Sequence, residues 1–137
     1  EVLRHPRTRF TARIAGLNLV RGNYDSGAVT DGDGLKIQGS VKDGVVLGRG
    51  EPAAAVFSPA SVSIFLDQPG GSPRNNVTVT ITELEPLSDL VRVRSEDAAG
   101  HSLSADVTLG AVSELDLYPG RVVTYAIKAS AVTIYPT

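Results

Sequence analysis

The sequence predicts an all-β protein with one short helix, on three observations. Apolar and polar residues alternate through much of the second half, which is the two-residue period of a half-buried strand. The strand-like runs are short and separated by Gly, Pro, Asp and Asn, the residues that turn a chain. One segment abandons the alternation for a three-residue spacing, which suits a helical turn.

The second half carries the pattern best. In Val77-Thr78-Val79-Thr80-Ile81-Thr82 the apolar residues fall on one face and the threonines on the other. Leu90-Val91-Arg92-Val93-Arg94 repeats this, Ser95 to Gly100 is turn-like, and Leu103 to Val107 resumes the alternation as the return arm of a hairpin. From Thr108 to Leu117 the spacing of Leu109, Val112 and Leu115 predicts one or two helical turns, with Thr108 as N-cap. Tyr118-Pro119-Gly120 ends them, and strands are expected over Arg121 to Lys128 and Ala131 to Tyr135. This element count is that of a small OB-like barrel.

The first half is less regular. Phe10 to Ala15 reads as a strand, Asn23 to Gly34 as loop and turns, and Leu35 to Gln38, Val45 to Leu47, Ala53 to Phe57 and Ser61 to Leu66 as short strands. Pro59 should interrupt pairing between the last two. Asp67-Gln68-Pro69-Gly70-Gly71-Ser72-Pro73 is the strongest punctuation and marks a boundary between lobes. Three regions follow: a junction and first strand over 1–20, an irregular β lobe over 21–70, and a small barrel over 71–137. No convincing internal repeat and no low-complexity tract is visible.

Composition narrows the function. With 137 residues, 42% hydrophobic, the chain can bury a core, and with only 5% aromatics that core must be Val, Ile, Leu and Ala. A net charge of −2 and few stacking aromatics argue against nucleic acid as a partner. Cysteine is absent, which removes disulfides and thiolate metal sites and fits a reducing cytosol. No apolar run approaches the roughly 20 residues that span a bilayer. The sequence starts abruptly at Glu1 without Met or a signal-peptide pattern, and is expected to be a piece of a longer chain.

Catalytic motifs find no footing: there is no Gly-x-Ser-x-Gly elbow and no Gly-Lys-Ser/Thr phosphate loop, so no catalytic residues are assigned. Metal ligands are not assigned either. Asp31-Gly32-Asp33-Gly34 resembles the start of a calcium loop, but the position needing a bidentate Glu is Lys42, so it is read as a Gly-Asp turn. His5 and His101 stand far apart without ligand spacing.

Two polar segments stand out. Gly70-Gly71-Ser72-Pro73-Arg74-Asn75 combines glycines that allow close backbone approach with a hydroxyl and a guanidinium fork. Lys128-Ala129-Ser130 adds an ammonium and another hydroxyl between two strands. All these groups donate hydrogen bonds, so together they suit a tetrahedral dianion, which only accepts. Monohydrogen phosphate would bring a proton without an acceptor, at a cost of ~1–3 kcal/mol. On spacing alone the alternative stands that an Arg after a turn and a Lys at a strand end are simply solvated.

At these residues the sequence resembles the Mop (TOBE-type) domain, a small OB-like unit that binds molybdate and tungstate. Ser72-Pro73-Arg74-Asn75 matches its Ser-Ala-Arg-Asn opening. Leu117-Tyr118-Pro119-Gly120 matches a Leu-x-Pro-Gly turn after the helix, and Ile127-Lys128-Ala129-Ser130-Ala131-Val132 matches the closing Ile-Lys-Ala-Ser-x-Val. The first eighteen residues, with Leu3, Pro6, Phe10, Ala12, Gly16 and Asn18, resemble the junction that leaves an ABC importer's ATPase domain.

The resemblance implies a C-terminal regulatory region of a molybdate importer's ATP-binding subunit. Its oxyanion ligands would be Ser72, Arg74, Lys128 and Ser130, with backbone N–H groups near Asn75 and Ala129. It also implies pairing of Mop units into a homodimer, feedback inhibition of transport by bound anion, and contact through the ATPase domain with membrane permease subunits. ATP would bind only in the upstream domain, and the unit would sit in the cytoplasm at the inner face of the membrane. Two alternatives are a free-standing cytosolic molybdate store and an ABC regulatory domain that binds a protein partner and has lost the anion.

Overall fold

A computed structural model describes residues 16–67 and 74–137, with Arg74 described by its backbone. Among these the chain is β-rich, with one short α-helix, as the alternation predicts. The strands are β1 (Asn18–Asp25), β2 (Ala28–Thr30), β3 (Lys36–Gln38), β4 (Ser40–Val41), β5 (Pro52–Phe57), β6 (Ser63–Phe65), β7 (Arg74–Pro86), β8 (Leu90–Asp97), β9 (Ser102–Thr108), β10 (Val122–Lys128) and β11 (Thr133–Pro136). Helix α1 (Leu109–Leu115) lies between β9 and β10.

Two sheets form. One runs β3-β2-β1-β5-β11-β4 and the other β6-β10-β7-β8-β9. Each lobe therefore surrenders its last strand to the other: β6 of the first lobe pairs with β10, and β11 of the second pairs with β5. The apolar faces make one core that spans both lobes, including Val20, Val29, Ile37 and Phe57 from the first and Val79, Ile81, Leu103 and Tyr125 from the second. Burying each such side chain contributes ~1.5–3 kcal/mol.

The two lobes are related by an approximate twofold that the residue pattern did not reveal. Asn18 opens β1 opposite Phe57, as Asn75 in β7 lies opposite Ile127. Each asparagine reaches into the other lobe: Asn18 exchanges hydrogen bonds of 2.7 and 2.9 Å with the Ser104 main chain, and Asn75 exchanges bonds of the same lengths with that of Gln38. The Asp31 side chain accepts from the amides of Asp33 and Leu35, and Asp97 from those of Ala99 and His101. Phe57-Ser58-Pro59-Ala60 in β5 and its 3-10 turn corresponds to Ile127-Lys128-Ala129-Ser130.

Some expectations shift. The stretch expected to be all loop from Asn23 contains the end of β1 and all of β2, because Ala28 and Val29 are fully buried between paired neighbours. Val45 to Leu47 is not a strand; it finds no pairing partner among the described residues, and Val46 is 93% exposed. The strand expected from Ser61 begins at Ser63, since Pro59–Ser61 forms a 3-10 turn. Thr108 does cap α1, its hydroxyl accepting from Ala111 N at 3.0 Å. Leu109 is 69% exposed, while Val112 and Leu115 pack on the core. The strand expected at Phe10 to Ala15 lies outside the described residues.

Candidate functional site

The second lobe's long β7 begins where the first polar segment ends, and β10 ends where the second begins. Their antiparallel register places Arg74 directly opposite Lys128 and Asn75 opposite Ile127. The two segments, far apart in sequence, are thus brought side by side at one end of the sheet. Ser72 and Pro73 lie outside the described residues.

Lys128 is exposed at the end of β10, and the chain then turns through the 3-10 turn Ala129–Ala131. Ala129 is half-buried and Ser130 exposed. Lys128 has no hydrogen-bond or ion-pair partner among the described residues. It lines a cavity of about 520 Å³ together with Ser61, Ser63, Phe65, Ala126 and Ala131. Among the described residues no carboxylate lines that cavity or pairs with Lys128, which suits an anion.

The Asn75 side chain is engaged within the fold. It is buried, and its Oδ1 and Nδ2 are both engaged by the Gln38 main chain. It pins β7 to β3 and leaves only its backbone for an anion. The sequence also gave no hint of Ser63, which reaches the cavity because β6 crosses to pair with β10, with Ser63 opposite Ala126.

A second polar cluster lies where the β2–β3 and β8–β9 loops meet. His101 Nδ1 is 2.8 Å from Asp97 Oδ2, its Nε2 lies against Asp31 Oδ2, and Asp33 Oδ2 is 3.8 Å away. The Asp31 and Asp97 side chains are about nine-tenths buried, at 8% and 10% exposure. Burial opposes charge on His101, but the hydrogen bond and charge of Asp97, with those of Asp31, outweigh it and hold the imidazole above its usual value. Burial likewise opposes charge on Asp97, and its hydrogen bonds from the His101 backbone and side chain hold the carboxyl below the usual range. Asp31, Asp33 and His101 bring three potential ligand atoms within 4.8 Å of one another. Both ring nitrogens are already turned to carboxylates, so the geometry is that of an imidazolium clasp between lobes.

Comparison with known proteins agrees with this architecture. Residues 71–134 match the TOBE domain family. Over 140 aligned residues the chain is 39% identical to the molybdenum import ATP-binding protein ModC of Mycobacterium tuberculosis, in strains CDC 1551 / Oshkosh and H37Rv; the match covers 99% of this chain and 37% of ModC. The chain thus spans little more than a third of the length of these relatives. Among solved structures, the cytoplasmic molybdate-binding protein ModG, in a crystal form with molybdate bound, superposes with a TM-score of 0.72 at 26% identity, over 85% of this chain and 94% of that one. Among the described residues no helix is long and apolar enough to cross a membrane. The motif residues, the strand order and these matches lead to one assignment: residues 71–134 are a TOBE domain.

Proposed function

We propose that this chain is the oxyanion-sensing regulatory domain of a molybdate- or tungstate-importing ABC transporter, joined in the parent protein to the ATPase domain. The observation that carries the reading is the register of Arg74 opposite Lys128, beside a cavity that no carboxylate among the described residues lines. It sets the Arg74 end of one polar segment beside the Lys128 end of the other, and the molybdenum-import name of ModC with the molybdate-binding name of ModG supports molybdate as the ligand.

The mechanism needs an anion that binds one arrangement of the ATPase subunits better than another. Two such domains pairing as a homodimer, with anion at or near their interface, would favour separated ATPase halves. Each tenfold preference for that arrangement shifts the balance by about 1.4 kcal/mol. Cytoplasmic oxyanion would then slow its own import at the inner face of the membrane, through the permease subunits the ATPase contacts. ATP belongs to the ATPase domain only. The β-lobed chain itself performs no catalysis in this scheme.

Calorimetric titration with molybdate, tungstate, sulfate and phosphate is the test. The first two should bind, and Arg74→Ala and Lys128→Ala should each weaken binding by about tenfold or more, as loss of a charge-assisted hydrogen bond predicts. No heat from any oxyanion in a folded sample would defeat the reading. A second reading, a free-standing molybdate store, is favoured by the near-complete coverage of ModG. A parent reading frame without an upstream nucleotide-binding loop would select it.

A further inference from the structure

We propose that Asp31, Asp33 and His101 form a binding site for one divalent transition-metal ion of the zinc class, which ties the two lobes together. In the metal-free chain the proton on the His101 ring takes that place, and a dication displaces it. The site goes beyond the oxyanion reading and shares no residue with Lys128 and its cavity. Asp31 and Asp33 belong to the β2–β3 loop of the first lobe, and His101 to the β8–β9 loop of the second. An ion held by all three therefore needs both lobes.

Each ligand atom is made available by what the rest of its residue does. Asp31 Oδ1 accepts from the amides of Asp33 and Leu35 at 2.9 Å, which holds the carboxylate still with Oδ2 against His101. The Asp31 side chain is 8% exposed, yet Oδ2 makes no hydrogen bond of ordinary geometry even with Nε2 beside it. Buried oxygens are rarely left so, and a metal ion needs only the lone pair. On the other side of the ring, Asp97 Oδ2 lies 2.8 Å from Nδ1. A carboxylate there keeps a proton on Nδ1 and frees the Nε2 lone pair, the arrangement that orients most metal-binding imidazoles. Asp33 Oδ2 is 3.8 Å from Nε2. That is close to the roughly 3.3–3.6 Å between ligand atoms that tetrahedral zinc bonds of about 2.0–2.2 Å impose. Asp31 Oδ2 lies nearer to Nε2 than that, and the two part to admit the ion.

Charge favours the ion as well. Asp31, Asp33 and Asp97 surround a single imidazole, so the protonated ring leaves two negative charges uncompensated, and a dication beside the neutral ring leaves one. The clasp opens on a cavity of about 270 Å³ lined by Asp33, Asn76, Asp97 and His101 among others. Asn76 Oδ1 is buried without a hydrogen-bond partner among the described residues. A water on the metal's remaining position would supply the donor it lacks. The imidazole nitrogen selects zinc-class ions over calcium and magnesium, which take oxygen ligands. The approximate twofold also makes the site single. Ala99 and Leu35 stand at the counterparts of Asp33 and His101, so Asp97 holds the ring instead of gathering ligands of its own.

Calorimetric titration of the chelator-treated full chain with zinc chloride tests this. We expect one zinc per chain and a melting temperature that rises with zinc, while magnesium chloride changes neither. Asp33→Asn alters a side chain that is 63% exposed, so the fold should stay intact by circular dichroism while zinc binding weakens about tenfold or more. His101→Gln should weaken it at least as much. His5→Gln, which removes the chain's other histidine, should leave it unchanged. No zinc binding by the folded chain, or undiminished binding in Asp33→Asn, would overturn the site. Loss of binding in His5→Gln with retention in His101→Gln would show adventitious zinc only and overturn it too. None of these outcomes bears on molybdate titration, so the oxyanion reading stands or falls separately.

Discussion

His101 shows how one side chain ties the lobes together. Asp31 and Asp97 are equivalent under the approximate twofold, and two buried carboxylates facing each other would repel. His101, whose counterpart is Leu35, enters between them and supplies the missing positive charge. Its held-up imidazole makes stability depend on pH. Below the ordinary imidazole value of about 6.5, folded and unfolded chains are both protonated and the clasp contributes fully. As pH rises the unfolded chain loses its proton first, and the contribution disappears through the higher folded value. Asp97, held low, works the other way: its part is present above the ordinary value of about 3.9 and is lost as pH falls through the depressed one. The melting temperature should therefore fall as pH rises above about 6.5, and this slope should flatten in His101→Gln. Calorimetric scans across that range check it; an equal slope in both proteins would contradict the clasp.

Among the elements, β10 does most to join the molecule, since it pairs with β7 on one side and the borrowed β6 on the other. Its Tyr125 is fully buried; the hydroxyl donates to the Val93 carbonyl at 2.9 Å and meets Ser95 Oγ at 2.7 Å. Burial, against the Ser95 hydrogen bond, pushes its ionisation up to about 12. Tyr125→Phe should cost roughly 1–3 kcal/mol in urea unfolding, because it leaves two buried groups unpaired. The strands of the second half were legible because antiparallel strands with one wet face must alternate. Helix α1 was legible from Thr108 and the spacing after it. By contrast β2 was hidden, because its three residues gain their conformation from the neighbours on both sides, which no short window contains. Val45 to Leu47 failed for the opposite reason: the residue types suit a strand, but no described strand lies beside them. For the candidate site, the motif named Arg74 and Lys128, and the register sets them opposite each other. Asn75 turned out to spend its amide on Gln38, and Ser63 was invisible because its place depends on strand exchange.

At the scale of the whole molecule, the exchange of β6 and β11 makes the lobes inseparable, although the strongest turn signal falls between them. Without β11, β5 would expose an edge of unpaired amides and the first lobe would lose Ile134 from its core. A chain cut within residues 68–73 should yield two fragments that are each unfolded alone and recover the native circular dichroism when mixed. A folded isolated fragment 74–137 would contradict this. The internal duplication escaped notice in the sequence for a related reason: what the halves share is a few hydrogen-bonding positions, Asn18 with Asn75 and Asp31 with Asp97, while nearly everything around them has diverged.

The exchange also sets an order of assembly in time. On a ribosome the first lobe's six strands emerge early, yet the strand that β5 awaits, Thr133–Pro136, emerges after the rest of the second lobe. The first half must therefore stay incomplete through most of synthesis, with its β5 edge open to wrong partners, and final folding is a late event governed by contacts distant along the chain. Slow maturation, and a demand for chaperoning while nascent, follow from where one four-residue strand was placed.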